Sequence, residues 1–530
     1  MDEQFDVVIV GAGPAGCAIA ARLVDARPEW TIALIESGPA KPGRMSRIPL
    51  GLAVLVPRRS KYNYAYETVP QPGLGGRRGY QPRGRGVGGS SLINAMIYVR
   101  GQPEDYDGWA AAGCSGWGWD DVLPLFRRAE DNARGADAWH GGDGPLAVSD
   151  LREFAGITDA FLEAAVQAGH VANPDFNGAT QEGVGRYQVF QRAGVRIDAG
   201  TAYLSRPRPN LTIVAETQVD RLVIEQGEVR GVVVTHLRRR RTIHARKEVI
   251  VSAGAFGSPQ LLMLSGIGPA THLRDHGIAV LADRPDVGGN LQDHLDHVTS
   301  LKLKAPGAFG MTLPLIARAI RSHGVFKRDG RGMLTTNIAE AGGFLRSDGT
   351  RARPDIQLHF CVGIVDDHSR KMHFTSGVSL HACVLRPASR GTVRLASTNA
   401  ADAPLIDPAF LSAPEDLDLL VRGVRLVRDI LAAPAMKRLG GRELYPNDGS
   451  EAAIVRSIRA TADTIYHPVG TCRMGADTAA VVDPVLRVRG IGRLRVADAS
   501  IMPTLVSGNT QAPTAMIGEK AADLILGDGR

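Results

Sequence analysis

The sequence predicts an α/β domain interleaved with an α+β domain built on an antiparallel sheet. Three observations carry this. The chain opens on an apolar run, a glycine-rich turn and a helical pattern; strand-like runs recur between residues 211 and 407; and a C-terminal block joins a short strand, a polar loop and a closing helix.

The opening stretch reads FDVVIVGAGPAGCAIAARL, and its run Phe5 to Val10 is apolar and of strand length. Gly11, Gly13 and Gly16 form G-x-G-x-x-G around Pro14 and Ala15, and Ala15 to Val24 reads as a helix. The next apolar run, Thr31 to Ile35, ends in Glu36. The glycines let the chain turn tightly and let a pyrophosphate approach a helix N-terminus, where free N–H groups and the dipole favour anions. An acid about 20 to 25 residues further on accepts hydrogen bonds from ribose hydroxyls. The order strand, turn, helix, strand, acid thus reads as a Rossmann-like dinucleotide site. The motif does not separate FAD from NAD, and Glu36 disfavours NADP.

Gly38 to Pro82 is rich in Pro, Gly and Arg and reads as an irregular wrapping segment, followed by a second glycine cluster at residues 84–101. Helical patterns cover Trp119 to Asn132 and Ile157 to Ala168. Strand-like runs follow at Leu211 to Val214, Val219 to Ile224, Val229 to Thr235 and Glu248 to Val251, with Arg238 to Arg241 as a solvated hairpin tip. The block from Leu301 to Asp407 adds strand-like runs at Ile356 to Phe360, Val378 to Leu385 and Gly391 to Leu395. The path is discontinuous: residues 1–155, 210–300 and 480–530 for the nucleotide-binding domain, and 156–209 with 301–479 for a substrate-binding domain.

Composition bounds the function. The chain has 530 residues, 44% hydrophobic and 22% charged, as an ordinary globular protein does. Its net charge of +7 comes from scattered arginines, and aromatics at 5% offer no stacking platform, so no nucleic-acid partner is expected. Cys17, Cys114, Cys361, Cys383 and Cys472 are widely spaced without C-x-x-C, which argues against a disulfide framework and against zinc. Reduced thiols fit a cytoplasmic protein. The first strand starts too early to leave room for a signal peptide, and no apolar run approaches the roughly 18 residues of a membrane span. Peripheral membrane contact stays open. His294 and His297 lack a surrounding ligand constellation, so no metal site is expected.

The C-terminal block begins YHPVGTCRMG, which puts His467 in a loop of Pro and Gly. It continues through a short strand ending in Asp498 to a polar loop around Asn509 and Gln511, and then to a helix. Two internal motifs join it: GRGVGGSSLINAM from Gly84 to Met96, and GAFGSPQLLMLSGIG from Gly254 to Gly268. With GAGPAG, Glu36, VGGNLQDH (Val287 to His294) and LRPASRGTVRL (Leu385 to Leu395), they resemble, over essentially the whole chain, the glucose–methanol–choline (GMC) family of flavin-dependent alcohol oxidoreductases. The likeness is to its choline-dehydrogenase-like branch.

The resemblance implies a glucose-oxidase-like fold with FAD bound extended, its adenine end near Gly11 to Gly16 and Glu36. Its other implied flavin contacts are Arg85, Gly88, Gly89, Ser90, Asn94, Ala95, the backbone of Val219, Ala253, Asp498 and Ala499. Where some members tether FAD to a histidine, this chain has Ile93, which implies non-covalent FAD. A hydride leaves the carbinol carbon for flavin N5 and the hydroxyl proton needs a base. Histidine suits this with an unperturbed pKa near 6.5, and HPVGTCRMG marks His467 as the family's catalytic histidine. Counting back from Pro513 and Thr514 puts its partner at Gln511, where this branch commonly carries Asn; Asn509 is the fallback. Glu340 is a candidate for holding a cationic group, although a buried, hydrogen-bonded Glu is the simpler reading. His359 and His381 fall on strands and read as satisfied core or sheet-face histidines. The few aromatics give no cage for a quaternary ammonium, so choline is not the first substrate. The expected activity is FAD-dependent oxidation of the CH–OH group of a small alcohol to aldehyde or ketone, as a dehydrogenase passing electrons to a quinone or other carrier. The alternatives are an oxidase that uses O₂ and yields hydrogen peroxide, and a lyase that keeps FAD as structure.

Overall fold

A computed structural model describes residues 3–528. Among these residues two large sheets, of seven and eight strands, organise the chain.

In the first sheet Glu3–Val10 lies centrally, parallel to Ile32–Ile35 on one side and to the end of Arg239–Val251 on the other. Val7, Val8 and Ile9 are wholly buried, and a parallel strand covered on both faces reads as a continuous apolar run. Leu211–Val214 extends the sheet beyond Ile32–Ile35, and Leu494–Val496 adds to Arg239–Val251. Helix Pro14–Ala26 packs against the last helix, Gln511–Gly527. Gly518 permits this approach, because a Cβ there would lie 2.6 Å from the Ala15 carbonyl oxygen. The two ends of the chain thus meet beside the glycine motif.

Gln218–Glu225, Glu228–His236 and Arg239–Val251 form an antiparallel meander. The expected arginine tip is only partly a turn. Leu237 and Arg238 make it, at φ 47° and 64°. Arg239 to Arg241 already belong to the following strand, where Arg240 pairs with Asp220 and Arg241 with Glu3. Alternation is hard to see in this run because its exposed positions are all arginine.

The second sheet is antiparallel, in the order Arg442–Glu443, Leu295–Lys302, Ser376–Val384, Ile356–Cys361, Ala339–Leu345, Gly183–Arg186. The expected break between residues 300 and 301 falls inside Leu295–Lys302. Strand parity sorts this sheet's side chains. Leu358, Phe360, Leu380 and Ala382 join a core with Leu420, Val421 and Val424 of helix Pro414–Ala432. His359, Cys361 and His381 point to the opposite face, toward the first sheet.

Two other expectations shift. The run Gly391 to Leu395 yields only Thr392–Arg394, which pairs with Leu405–Asp407 outside the main sheet. Helix Trp119–Ala129 stops before Glu130–Asn132, which becomes a strand paired with Leu146–Val148. Gly38 to Pro82 holds only short pieces, among them the turns Arg44–Arg47, Pro49–Gly51 and Leu52–Leu55. Among the described residues no helix is long and apolar enough to cross a membrane.

Candidate active site

One cavity runs between the sheets, with the glycine motif along one part of its wall and His467 along another. Gly11 sits at φ 99°, and a Cβ on it would fall 2.3 Å from the Ser252 carbonyl oxygen. Gly13, the residue before the helix, has nothing within 4 Å of where its Cβ would be. No side chain caps this helix, so its first N–H groups stay open to an anion. Glu36 is buried at the end of Ile32–Ile35 and accepts from the backbone N–H groups of Ala12 at 3.1 Å, Gly38 at 2.9 Å and Gly86 at 3.0 Å. Burial raises its pKa, and these donors oppose the rise. Asp498 is placed in the same way: burial raises its carboxyl, against hydrogen bonds from Ser258 Oγ at 2.5 Å and from the N–H groups of Gly254 and Ser500, both at 2.8 Å.

Gly11, Gly13, Pro14, Ala15, Glu36, Gly89, Ser90, Asn94, Ala95, Val219, Ala253, Asp498 and Ala499 all lie on the cavity wall. Gly16, Arg85 and Gly88 stand behind it. Gly16 packs on Gly11, where a Cβ would meet the carbonyl oxygen at 2.0 Å. The Gly88 N–H donates to Ala12 O at 2.7 Å. Arg85 donates to Ser37 O at 2.8 Å and lies over the Tyr64 ring. Tyr64, Tyr66 and Phe256 also line the wall, and no periodicity marks them, since Tyr64 and Tyr66 lie in or beside irregular chain. The residues present fit FAD: an uncapped helix start for pyrophosphate, a buried carboxylate for a ribose diol, and an open backbone cradle at Gly13. Ile93 lines the wall with no nucleophilic atom to tether a flavin.

At the other end a chain of partners fixes the tautomer of His467. His294 Nε2 lies 2.9 Å from the Leu385 carbonyl oxygen, so it carries the proton and donates. Burial drives the His294 pKa down to about 3, which leaves its Nδ1 as an acceptor. That Nδ1 is 3.0 Å from His467 Nδ1, so His467 donates there and its Nε2 holds the free lone pair. Asn509 Nδ2 donates to Nε2 at 3.1 Å. Burial, aided by His294, His359 and Arg83, holds the His467 pKa well below the usual histidine range. The Asp293 carboxylate accepts the His467 backbone N–H at 2.9 Å and fixes the loop. Asn509 is held in turn by Gln357 Nε2, 3.0 Å from its Oδ1.

The expected order of partners changes here. Asn509, the fallback, makes the contact with His467. Gln511 lies on the cavity wall with its Oε1 taking a hydrogen bond from Asn94, whose Oδ1 accepts from Arg196 at 2.8 Å, and the Gln511 Nε2 has no partner. Gly508, at φ 155°, turns the chain just before Asn509, and counting along the sequence cannot register that turn.

His359 and His381 do lie on a sheet face, but His359 is unsatisfied and His381 is satisfied at one nitrogen only. Both face the cavity. His359 lies beside Asn509, yet neither of its ring nitrogens makes a hydrogen bond of standard geometry. Burial lowers its pKa to about 3. His381 Nδ1 is 2.6 Å from Asp296, and its Nε2 is unpartnered. Burial disfavours its cation, but Asp296 outweighs burial and holds the pKa well above the ordinary value. Glu340 is off the cavity wall, buried and accepting from Thr158 and Thr336 hydroxyls, both at 2.7 Å, and from the Ala155 N–H at 2.8 Å. Among the described residues no group of His, Cys, Asp and Glu forms a metal cluster.

Comparison with known proteins places the chain in a family. Family models described as GMC oxidoreductase match residues 5–296 and 387–518. The chain is 45% identical to alcohol dehydrogenase (acceptor) of Pseudomonas putida, covering 99% of this chain and 96% of that one. It is 42% identical to the mitochondrial choline dehydrogenase of Homo sapiens, covering 99% and 90%. The crystal structure of pyridoxine 4-oxidase from Mesorbium loti superposes with a TM-score of 0.87 at 34% identity over 98% of each chain. The chain therefore belongs to the GMC oxidoreductase family.

Proposed function

We propose that this FAD-dependent oxidoreductase oxidises a small neutral alcohol with His467 Nε2 as the base and Asn509 as its partner. The observation that carries the reading is the unprotonated Nε2, whose lone pair meets only the Asn509 Nδ2 donor, at 3.1 Å on the cavity wall. The flavin, when bound, supplies the hydride acceptor. A substrate hydroxyl that replaces the direct Asn509–His467 hydrogen bond donates its proton to Nε2 and accepts from the Asn509 amide. The amide then stabilises the negative charge that develops on oxygen. His294 acts one step back as a positioning residue, keeping the proton on His467 Nδ1 and so the lone pair on Nε2. A neutral imidazole at neutral pH is the correct form for a base.

The wall near the base supports a neutral rather than a cationic substrate. The carboxylates on the cavity wall, Glu36 and Asp498, lie at the nucleotide end, and near the base the wall offers the imidazoles of His359 and His381, the latter paired through Nδ1 with Asp296. The unpartnered nitrogens of His359 and His381 suit an alcohol that carries a second oxygen. Likeness to proteins named alcohol dehydrogenase (acceptor) and choline dehydrogenase supports transfer of electrons to a quinone or similar carrier. Likeness to pyridoxine 4-oxidase favours the second reading, oxidation by O₂ with release of peroxide. Five buried free thiols support a cytoplasmic setting. Anaerobic mixing of the holoenzyme with an alcohol panel tests the reading. Neutral alcohols should bleach the flavin band faster than choline does, and a band that stays yellow with every alcohol would refute it. Admitting air then separates the acceptors, with fast recolouring marking the oxidase.

A further inference from the structure

Helix Leu313–Asp329 is set apart from every other long helix by its surroundings. Of its seventeen residues only Ser322 is buried. Ala319, Ser322 and Phe326 share the inward side, and Leu313, Ile316 and Ile320 form a stripe on the outward side at the spacing of one helix face. Leu313 is 84% exposed and Ile320 71%. Other exposed apolar side chains stand on the segments leading to this helix and its sheet. Phe309–Gly310 pairs with Ser376–Gly377, and both chain segments at this pairing carry an exposed apolar residue, Met311 on one and Phe374, 81% exposed, on the other. Soluble surfaces rarely carry such a contiguous apolar patch without a partner.

The charge around the stripe is one-sided. Residues 309–331 hold Arg318, Arg321, Lys327, Arg328 and Arg331 against the single acid Asp329. The Pro49–Gly51 turn packs on the Met333–Thr335 turn, on which the helix also rests. This brings in residues 41–61, which hold six basic side chains, all exposed, and no acidic one. The two segments together carry a net +10, more than the +7 of the entire chain. The same side of the molecule contributes Leu52, Ala53, Val56 and Pro57 to the cavity wall.

We propose that this face docks on an anionic phospholipid bilayer, with helix Leu313–Asp329 lying in the interface. The chemistry matches one occupant. Protruding aliphatic side chains enter the acyl boundary while flanking Lys and Arg stay at the headgroups, as interfacial helices require, and basic side chains gain from the negative potential of an anionic leaflet. A nucleic acid would use the charge but not the apolar stripe. Docking in this sense turns the Leu52 to Pro57 wall of the cavity toward the bilayer.

The test is co-sedimentation of the FAD-loaded enzyme with vesicles. Vesicles of mixed phosphatidylcholine and phosphatidylglycerol should carry the enzyme down, and pure phosphatidylcholine vesicles should carry at least about tenfold less. Binding should fall as salt rises. The triple variant Leu313→Ser, Ile320→Ser, Phe374→Ser should lose at least about tenfold in binding while its anaerobic flavin reduction by alcohol stays at the wild-type rate. A variant with Arg318, Arg321, Lys327 and Arg328 all changed to Gln should lose the preference for anionic vesicles. No sedimentation of the wild type, or equal sedimentation of the triple variant, overturns the proposal. So does a concentration-dependent dimer that the triple variant dissolves, since a second copy would then cover the face.

Discussion

The two ends of the cavity recognise their ligands by different means. At the nucleotide end the recognising groups are backbone: the turn at Gly11, the open cradle at Gly13, and N–H groups gathered on Glu36 and Asp498. At the alcohol end they are imidazoles and an amide from separate parts of the chain: His359, His381, His467 and Asn509, with His294 behind His467. A backbone site binds without titrating, whereas a side-chain site can move a proton. Binding the flavin and reacting over it should therefore be separable by mutation.

The largest expected effect lies at the nucleotide end. Gly11→Val puts a branched side chain at φ 99° with its Cβ 2.3 Å from a backbone oxygen. No yellow holoenzyme should be recovered, as the visible flavin spectrum of purified protein will show. A normal flavin-to-protein ratio in this variant would break the contrast.

At the alcohol end Asn509→Ala should keep the flavin and slow its reduction by about a hundredfold, the scale of one lost charge-stabilising donor. Anaerobic rapid mixing measures this. His294→Phe acts one step further out. It leaves the His467 Nδ1–H buried without an acceptor, a penalty of about 1–3 kcal/mol that also disfavours the reactive tautomer. Reduction should slow roughly tenfold or more, and His294→Gln, which can still accept, should recover part of the rate. Gln511→Asn should change reduction by less than about threefold, because Gln511 touches Asn94 and not His467. A smaller effect from Asn509→Ala than from Gln511→Asn would reverse the assignment of the partner.

The two ends also differed in how far the sequence exposed them. The nucleotide end is local, with glycines, helix start and acid within one strand–helix–strand unit, so spacing alone groups residues that the fold brings to one cavity. The alcohol end is not local. His467 stands out because its loop forms a contiguous motif, but the choice between Asn509 and Gln511 depends on the turn at Gly508. His359 and His381 were assigned to the sheet correctly and to the wrong environment. Their parity sets them opposite Leu358 and Leu380, and only the position of the first sheet shows that this opposite face borders a cavity. Glu340 is legible as a buried, hydrogen-bonded acid, yet of its hydroxyl partners only Thr336 is near in sequence and Thr158 lies on a separate segment. The exposed helix was hidden because the run from Leu313 to Asp329 mixes apolar and basic residues, as an ordinary surface helix does, and burial alone shows which side is outward.

The smallest expected effect is a flat pH profile. Burial and neighbouring imidazoles and Arg83 hold the His467 pKa well below the usual histidine range. The base is then already unprotonated at neutral pH, so the rate of flavin reduction should stay constant as pH rises from neutral and fall only on acidification. A rate that climbs steeply through pH 7 to 8 would indicate a base of ordinary or raised pKa.

The most direct test of the separation between binding and chemistry is His467→Ala, with two readings on the same sample. The flavin-to-protein ratio should match wild type, while anaerobic reduction by a saturating alcohol should slow by about 10²–10⁴-fold, the span of general-base catalysis. Unchanged reduction would remove His467 as the base, and loss of the flavin would show that the two ends are not separable.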